Sequence, residues 1–351
     1  MQILDNHAGG SASEIGGGAM AGDGHVDHRV LAQHAEDKVN VPQGEAQERR
    51  RQVNHLRERL ESYIQAHPDY DLVKLRASGS TAKHTAIKRR SGEGSDADVA
   101  AYVRSSDPNV PEADLLEWLR DRCVEVYGKT KVADDFVISK HAVGITLRGS
   151  GLKIDVAPVL YLGGPDDQGW LITRQGERVL TSVTQHLEFI RERRRKAGPG
   201  YLELIRLLKA WIRECKRLDS DLRCKSFLLE LIVAHLWASG WNGEPLQVND
   251  YPRAIEQVLA YIVRTGLKSP IVFDDFYRPT EVGSSLDAIQ VWDPVNPDNN
   301  VASSYMEHDR RRLVDRAAAA LDEVSWAATA PTKGAANDAW RTLFGPSFEG
   351  A

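Results

Sequence analysis

The stretch Asp96-Ala97-Asp98-Val99-Ala100-Ala101-Tyr102-Val103 constrains the fold more than any other part of this 351-residue chain. Its alternation reads as a β-strand. Residues two apart on a strand project from one face, so Asp96 and Asp98 point together while Ala97, Val99 and Ala101 face a core. A second apolar strand, Leu152-Lys153-Ile154-Asp155-Val156-Ala157-Pro158-Val159, carries one acid, Asp155, on the face opposite Ile154 and Val156.

Side-by-side carboxylates repel each other unless a cation lies between them. If the two strands are neighbours, three carboxylates converge. That is the arrangement for two divalent ions roughly 3.5–4 Å apart around an in-line phosphoryl displacement. Hard oxygen donors and a phosphate substrate suit two Mg²⁺ or Mn²⁺ ions. Asp96, Asp98 and Asp155 are therefore the candidate catalytic residues and metal ligands, with Asp155 the candidate general base for an attacking hydroxyl. Upstream, Gly79-Ser80 follows a short strand at Leu72 to Leu75. Glycine lets the backbone approach phosphates, and the Ser80 hydroxyl and nearby N–H groups can donate to them. An Asp-x-Asp pair alone is weak evidence. The order Gly-Ser, polar loop, Asp-x-Asp, then a third acid inside an apolar strand specifies the site.

Helical spacing of Val53, Leu56, Leu60 and Ile64 predicts a helix from Glu45 to Ala66, ended by Pro68. A helix from Pro111 to Tyr127 and strands at Phe136 to Ser139 and Ala142 to Arg148 follow. From about Ser182 the pattern turns helical, with helices at Tyr201 to Arg217, Lys225 to Trp237, Arg253 to Arg264 and Ser303 to Glu323. A strand-rich half followed by a helical half predicts an α+β chain of two segregated parts. Residues 45–181 would form a mixed sheet with flanking helices, residues 182–351 a helical domain, and the active site would lie in the cleft between them. Before them, Met1 to about Asn40 is crowded with glycine from Gly9 to Gly24 and has few large apolar residues. Residues 1–44 are expected to be a disordered tail. No strand precedes these glycines, so they are not a phosphate-binding loop.

The formal charge of −5 argues against a chain built mainly to grip nucleic acid and leaves RNA a disfavoured partner. The apolar stretch from Phe227 to Trp237 is far short of a membrane span, and no secretory signal is visible, so a cytoplasmic location with no membrane partner is expected. Cys123, Cys215 and Cys224 are too irregular for a disulfide framework or a zinc site and read as buried or half-buried free thiols. The runs Arg191 to Lys196 and Arg310 to Arg312 read as solvated helix faces and ends.

The Gly-Ser turn, the Asp-x-Asp strand and the later Asp155 together resemble the polymerase β-like nucleotidyltransferase superfamily. The likeness continues through Leu207-Leu208-Lys209-Ala210-Trp211, Lys225-Ser226-Phe227-Leu228-Leu229-Glu230-Leu231 and the loop Trp292 to Val301. These segments resemble the branch that holds 2′-5′-oligoadenylate synthases, cyclic GMP-AMP synthase and the bacterial cyclic-oligonucleotide synthases (CD-NTases) of anti-phage defence. The resemblance covers roughly Glu45 to Phe344. It implies that Lys209 and Ser226 contact the triphosphate and that Phe227 stacks on the donor base. It also implies a polymerase β-like core and a template-independent enzyme. Such an enzyme joins NTPs, ATP foremost, into a cyclic or short linear second messenger and releases pyrophosphate. A regulatory protein partner and an effector reached by the diffusible product come with that implication. The alternative is an RNA-directed enzyme of the CCA-adding or poly(A) type, which shares the triad but needs a basic RNA surface or an added domain. A third reading, an inactive nucleotide or RNA sensor, is opposed by the intact triad. One departure stands out. The family loop Gly-Ser-x-x-x-Gly-Thr has His84 where glycine is usual, and a long basic spacer with Lys88, Arg89 and Arg90 leads to Asp96.

Overall fold

The structure, a computed structural model, describes residues 25–66, 70–90, 95–105, 114–128 and 131–350. The first elements are α1 (His28–His34), a π-helical turn (Ala35–Val39), α2 (Gln43–Ala66), β1 (Tyr70–Ser78), α3 (Gly79–Ala82), β2 (Ser95–Ser105) and α4 (Leu115–Tyr127). Five strands follow: β3 (Phe136–Ile138), β4 (Val143–Leu147), β5 (Leu152–Gly163), β6 (Gln168–Ile172) and β7 (Arg178–Thr181). The remainder is α5 (Val183–Ala197), α6 (Gly200–Leu218), α7 (Ser226–Ser239), α8 (Tyr251–Thr265), a hairpin of β8 (Trp292–Asp293) and β9 (Asn296–Asn300), α9 (Glu307–Thr329) and α10 (Lys333–Phe344).

The sheet has the order β1-β2-β5-β4-β3, and β6 adds to the C-terminal part of β5 and pairs with β7. β2 and β5 run parallel, whereas β1 pairs antiparallel with β2 and β4 antiparallel with β5. The sheet is therefore mixed, as expected. One face carries Ala97, Val99, Ala101, Ile154 and Val156 and packs on Val53, Leu56 and Leu60 of α2 and on Leu116, Leu119 and Cys123 of α4. Burying each of these aliphatic side chains contributes about 1.5–3 kcal/mol, so this face sets the strand register. The opposite face carries Asp96, Asp98 and Asp155 towards one end and a small buried cluster of Ala100, Tyr102 and Val159 towards the other.

A second, larger core lies among α5 to α10. It contains a correction to the sequence reading. Residues 28–39 are helical, and Val26, Leu31, Ala35 and Val39 are buried in the helical lobe. Asp27 caps α1 by accepting the Val30 N–H at 3.0 Å. Four apolar residues at near-helical spacing were enough to dock this segment, and the neighbouring glycines hid them. The glycines from Gly9 to Gly24 lie outside the described residues, as do Pro68 and Pro111. From residue 25 on, the described chain lies first on the helical lobe, crosses at Val41-Pro42 into α2, and returns at α5.

The strand-like pattern also ran short in places. β6, β7 and the polar hairpin β8–β9 had no apolar alternation to announce them, and α10 was missed. The three cysteines are free and buried, as read. The basic runs are only partly solvated. Arg191 and Arg195 pair with Glu188 and Glu192 on the surface. Arg193 is instead buried, with both terminal nitrogens on Asp275 at 2.7 and 2.9 Å, and Arg310 is buried against Glu307 and the Gly266 carbonyl. No helix among the described residues is long and apolar enough to cross a membrane.

Candidate active site

Asp98 and Asp155 are direct partners in the parallel β2–β5 register. Neighbouring residues of paired strands share a face, so the two carboxylates stand side by side. Asp96 lies one step along the same face, opposite Lys153. The alternation read from the sequence is present, because Ala97 and Val99 are buried while Asp96 is exposed and Asp98 half-buried. Burial, reinforced by the nearby Asp155 and Asp96, pushes the Asp98 carboxyl up to about 6. A carboxyl whose proton affinity is raised by burial and by two neighbouring carboxylates marks a site built to receive positive charge.

Two glycines make room for them. Gly79, at φ +64°, follows β1 and lies against Asp98, and a Cβ there would collide with Asp98 Oδ2. Gly144 of β4 faces Asp155, and a Cβ there would lie 2.9 Å from Asp155 Oδ1. The acids also meet cations of the chain itself. Arg89 pairs with Asp96, and the Lys153 ammonium lies 3.0 Å from Asp155 Oδ1, a buried oxygen that accepts no well-directed hydrogen bond. Among the described residues no three His, Cys, Asp or Glu side chains form a ready-made metal cluster. The donor set fits Mg²⁺ or Mn²⁺ nonetheless, being all hard oxygen, with one under-satisfied buried oxygen beside a carboxyl of raised proton affinity.

Beside Asp96 is a pocket of about 230 Å³ whose wall includes Ser80, Arg89, Lys209, Arg213, Lys216 and Ser226. Its cationic side chains come from α2 (Arg49), the spacer loop and α6. The spacer is sewn to the helical lobe along its length. Arg206 donates to the His84 carbonyl at 2.9 Å, Lys209 to the Thr85 carbonyl at 3.0 Å, and Arg213 to the Lys88 carbonyl. The Lys88 N–H donates to the Val39 carbonyl at 2.7 Å, and Arg90 pairs with Glu214. Residues 83–90 therefore belong to the core by sequence and to the helical lobe by contact.

This geometry was compared with known proteins. Residues 28–177 match the family model described as Second Messenger Oligonucleotide or Dinucleotide Synthetase domain (SMODS). The cyclic AMP-AMP-AMP synthase of Escherichia coli strain MS 115-1 is 38% identical over 327 residues, covering 93% of this chain and 99% of that protein.

The chain belongs to the CD-NTase family.

The solved structure of E. coli MS115-1 CdnC with ATP superposes with a TM-score of 0.82 at 39% identity and covers 93% of this chain and 100% of that one. A complex of the same protein with HORMA-deltaN gives the same TM-score at 38% identity, covering 93% of this chain and 99% of that one. This CD-NTase is thus a nucleotidyltransferase that makes cyclic oligonucleotide second messengers, and the RNA-extending and sensor readings give way.

The structure also places the residues named by resemblance. Ser80, Asp96, Lys209 and Ser226 share the pocket wall. Phe227 stands apart from it, with the Lys83 ammonium 4.1 Å above its ring and His186 edge-on at 5.6 Å. The Lys209 ammonium is buried and donates to Thr85 O, Thr85 Oγ1 at 2.9 Å and Glu230 at 2.6 Å. The loop from Trp292 is a staple in this CD-NTase. Buried Asp293 bonds His186 Nε2 at 2.8 Å, and Asn296 donates to the Leu180 carbonyl at 3.1 Å. His84 has φ +59°, the left-handed conformation that explains the family's glycine. Sequence reasoning passed over Glu230 and Thr85. The available signal was Glu230 itself, the one acid in the apolar helix Ser226–Ser239.

Proposed function

We propose that Asp96, Asp98 and Asp155 carry the nucleotidyl transfer and that ATP is the nucleotide joined, giving a cyclic oligoadenylate. The pairing of Asp98 with Asp155 in register carries this reading, because it sets two carboxylates side by side where one already resists ionisation. Two divalent ions held by Asp96, Asp98 and Asp155 would neutralise the triphosphate and activate the attacking ribose hydroxyl. Asp155 accepts the proton of that hydroxyl. Gly79 leaves room for the phosphates beside Asp98, Ser80 and Ser226 donate hydrogen bonds to them, and Lys209 adds a fixed cation to the pocket wall. The exposed side of Phe227 offers a ring for the donor base, a contact worth about 1–3 kcal/mol.

Support for ATP comes from the relative named for cyclic AMP-AMP-AMP synthesis and from the CdnC structure with ATP. The CdnC complex with HORMA-deltaN supports a HORMA-type regulatory partner for this chain also. The test is a scan of the purified chain, alone and with such a partner, against each of the four labelled NTPs and their mixtures. The expected product forms from ATP alone, resists phosphatase and has the mass of a cyclic oligoadenylate. A product that requires GTP, CTP or UTP overturns the assignment of ATP.

A further inference from the structure

We propose that Glu230 is a positioning residue for nucleotidyl transfer, holding the catalytic loop through Thr85 while Lys209 completes the clamp. This rests on the assignment of the reaction to the Asp96–Asp98–Asp155 face. α7 is apolar on every side, and Glu230 is 2% exposed within it. Burial opposes its ionisation, yet Lys83 and Lys209 outweigh that and hold it at about 2. A buried ion pair is a poor source of net stability, because desolvation cancels most of the attraction. Its use here lies in what it holds.

Glu230 Oε1 accepts from the Thr85 hydroxyl at 2.7 Å and from Lys209 at 2.6 Å, and Oε2 accepts from Lys83 at 3.1 Å. Thr85 and Lys83 belong to the loop that follows Gly79-Ser80. The Thr85 and Ala86 N–H groups both donate to the Ser80 carbonyl, at 2.9 and 3.2 Å. Gly79, next to Ser80, lies against Asp98. A continuous chain of contacts thus runs from a helical-lobe carboxylate to the metal-binding face. The three N–H donors of Lys209 are spent on Thr85 O, Thr85 Oγ1 and Glu230. A triphosphate contact by Lys209 would have to break one of them. The arrangement instead makes Lys209 an anchor for the loop, and its charge reaches the pocket from behind.

The two roles separate in kinetics. Thr85→Val is nearly isosteric, leaves the Lys209–Glu230 pair intact and removes only the hydroxyl. Thr85→Ser restores that hydroxyl, and Glu230→Gln removes the charge. Each is assayed with ATP at saturating Mg²⁺ beside the wild type and Asp98→Asn, with melting temperatures and hydrogen exchange of residues 79–90. A loop shifted by about 1 Å costs up to about 100-fold in rate, so Thr85→Val and Glu230→Gln should lower kcat by about 10- to 100-fold. KM for ATP should stay within about threefold, Thr85→Ser should recover most of kcat, and exchange in residues 79–90 should rise in both damaged variants. Wild-type kcat and KM in Thr85→Val and Glu230→Gln would reduce Glu230 to a core ion pair. A raised KM with unchanged kcat would make the cluster a substrate-binding element. Full activity in Asp98→Asn would instead overturn the active-site assignment and leave the loop exchange data to judge Glu230.

Discussion

Two charged clusters flank the loop that follows Gly79, and they are built on opposite terms. On the sheet, Asp96, Asp98 and Asp155 crowd together, and Asp98 is pushed up to about 6. Where that loop meets the helical lobe, Lys83, Lys209, Thr85 and Glu230 satisfy one another, and Glu230 is held at about 2. The first cluster is electrostatically strained and invites an external cation. The second is complete and invites nothing. Catalytic groups tend to be left frustrated by the fold, while groups that position them are fully bonded. Removing members of either cluster should therefore have opposite effects on stability.

The largest effect is expected at the strained cluster. Asp98→Asn should lower turnover by at least about 10³-fold, since it removes charge stabilisation felt at the transition state. The same change should raise the stability of the metal-free protein. A carboxyl raised from 3.8 to about 6 binds its proton more tightly in the folded state, so folding is favoured at low pH and weakened as pH rises through that range. At pH 7.5 without metal the variant should gain up to about 3 kcal/mol by urea denaturation. A stability loss would show that Asp98 is not strained.

Gly79→Ala should follow, with activity down about 100-fold and stability down about 1–2 kcal/mol. The new methyl collides with the Asp98 carboxylate, and φ +64° disfavours any side chain. Turnover and melting on the same preparation check both parts.

The helical lobe supplies a pH test away from the acid face. His34 packs between Phe344 and Phe348, at 5.0 Å from each ring, and burial lowers its pKa from 6.5 to about 4. Its stabilising contribution is present above pH 6.5 and is lost as pH falls toward 4, up to about 3 kcal/mol in all. His34→Phe should flatten the acid limb of the stability curve measured between pH 4 and 7. An unchanged limb would place the acid sensitivity elsewhere.

The smallest effect is expected at His84. His84→Gly should relieve about 1 kcal/mol of left-handed strain and give back much of it as unfolded-chain entropy, leaving stability nearly unchanged. Its carbonyl bond to Arg206 survives the change, so activity should hold near the wild-type rate. A large loss of activity would give the imidazole a role that its geometry does not suggest.

These expectations also mark what the sequence could reveal. The acid face was legible because strand periodicity fixes which side chains share a face, and Ile154 and Val156 frame Asp155 without ambiguity. The sheet core and α2 were legible for the same reason. The docking of residues 28–39 was not, because Leu31, Ala35 and Val39 form a stripe too sparse to stand out beside a glycine-rich stretch. The Glu230 clamp was not, because Lys83, Thr85, Lys209 and Glu230 come from three separate segments and meet only when the lobes assemble. Local pattern displays a site on one strand pair well and a site shared between lobes poorly. Lys209 illustrates the difference, being recognisable as a motif residue while its partners were invisible.

The central claim is that Asp98 and Asp155 form the heart of a two-metal site. The most direct measurement is the Mn²⁺ binding stoichiometry of the wild type, Asp98→Asn and Asp155→Asn, read by electron paramagnetic resonance with a non-hydrolysable ATP analogue present. The account predicts two Mn²⁺ bound per wild-type chain and at least one lost in each variant. Wild-type stoichiometry in both variants, or no Mn²⁺ bound by the wild type with nucleotide, would contradict it.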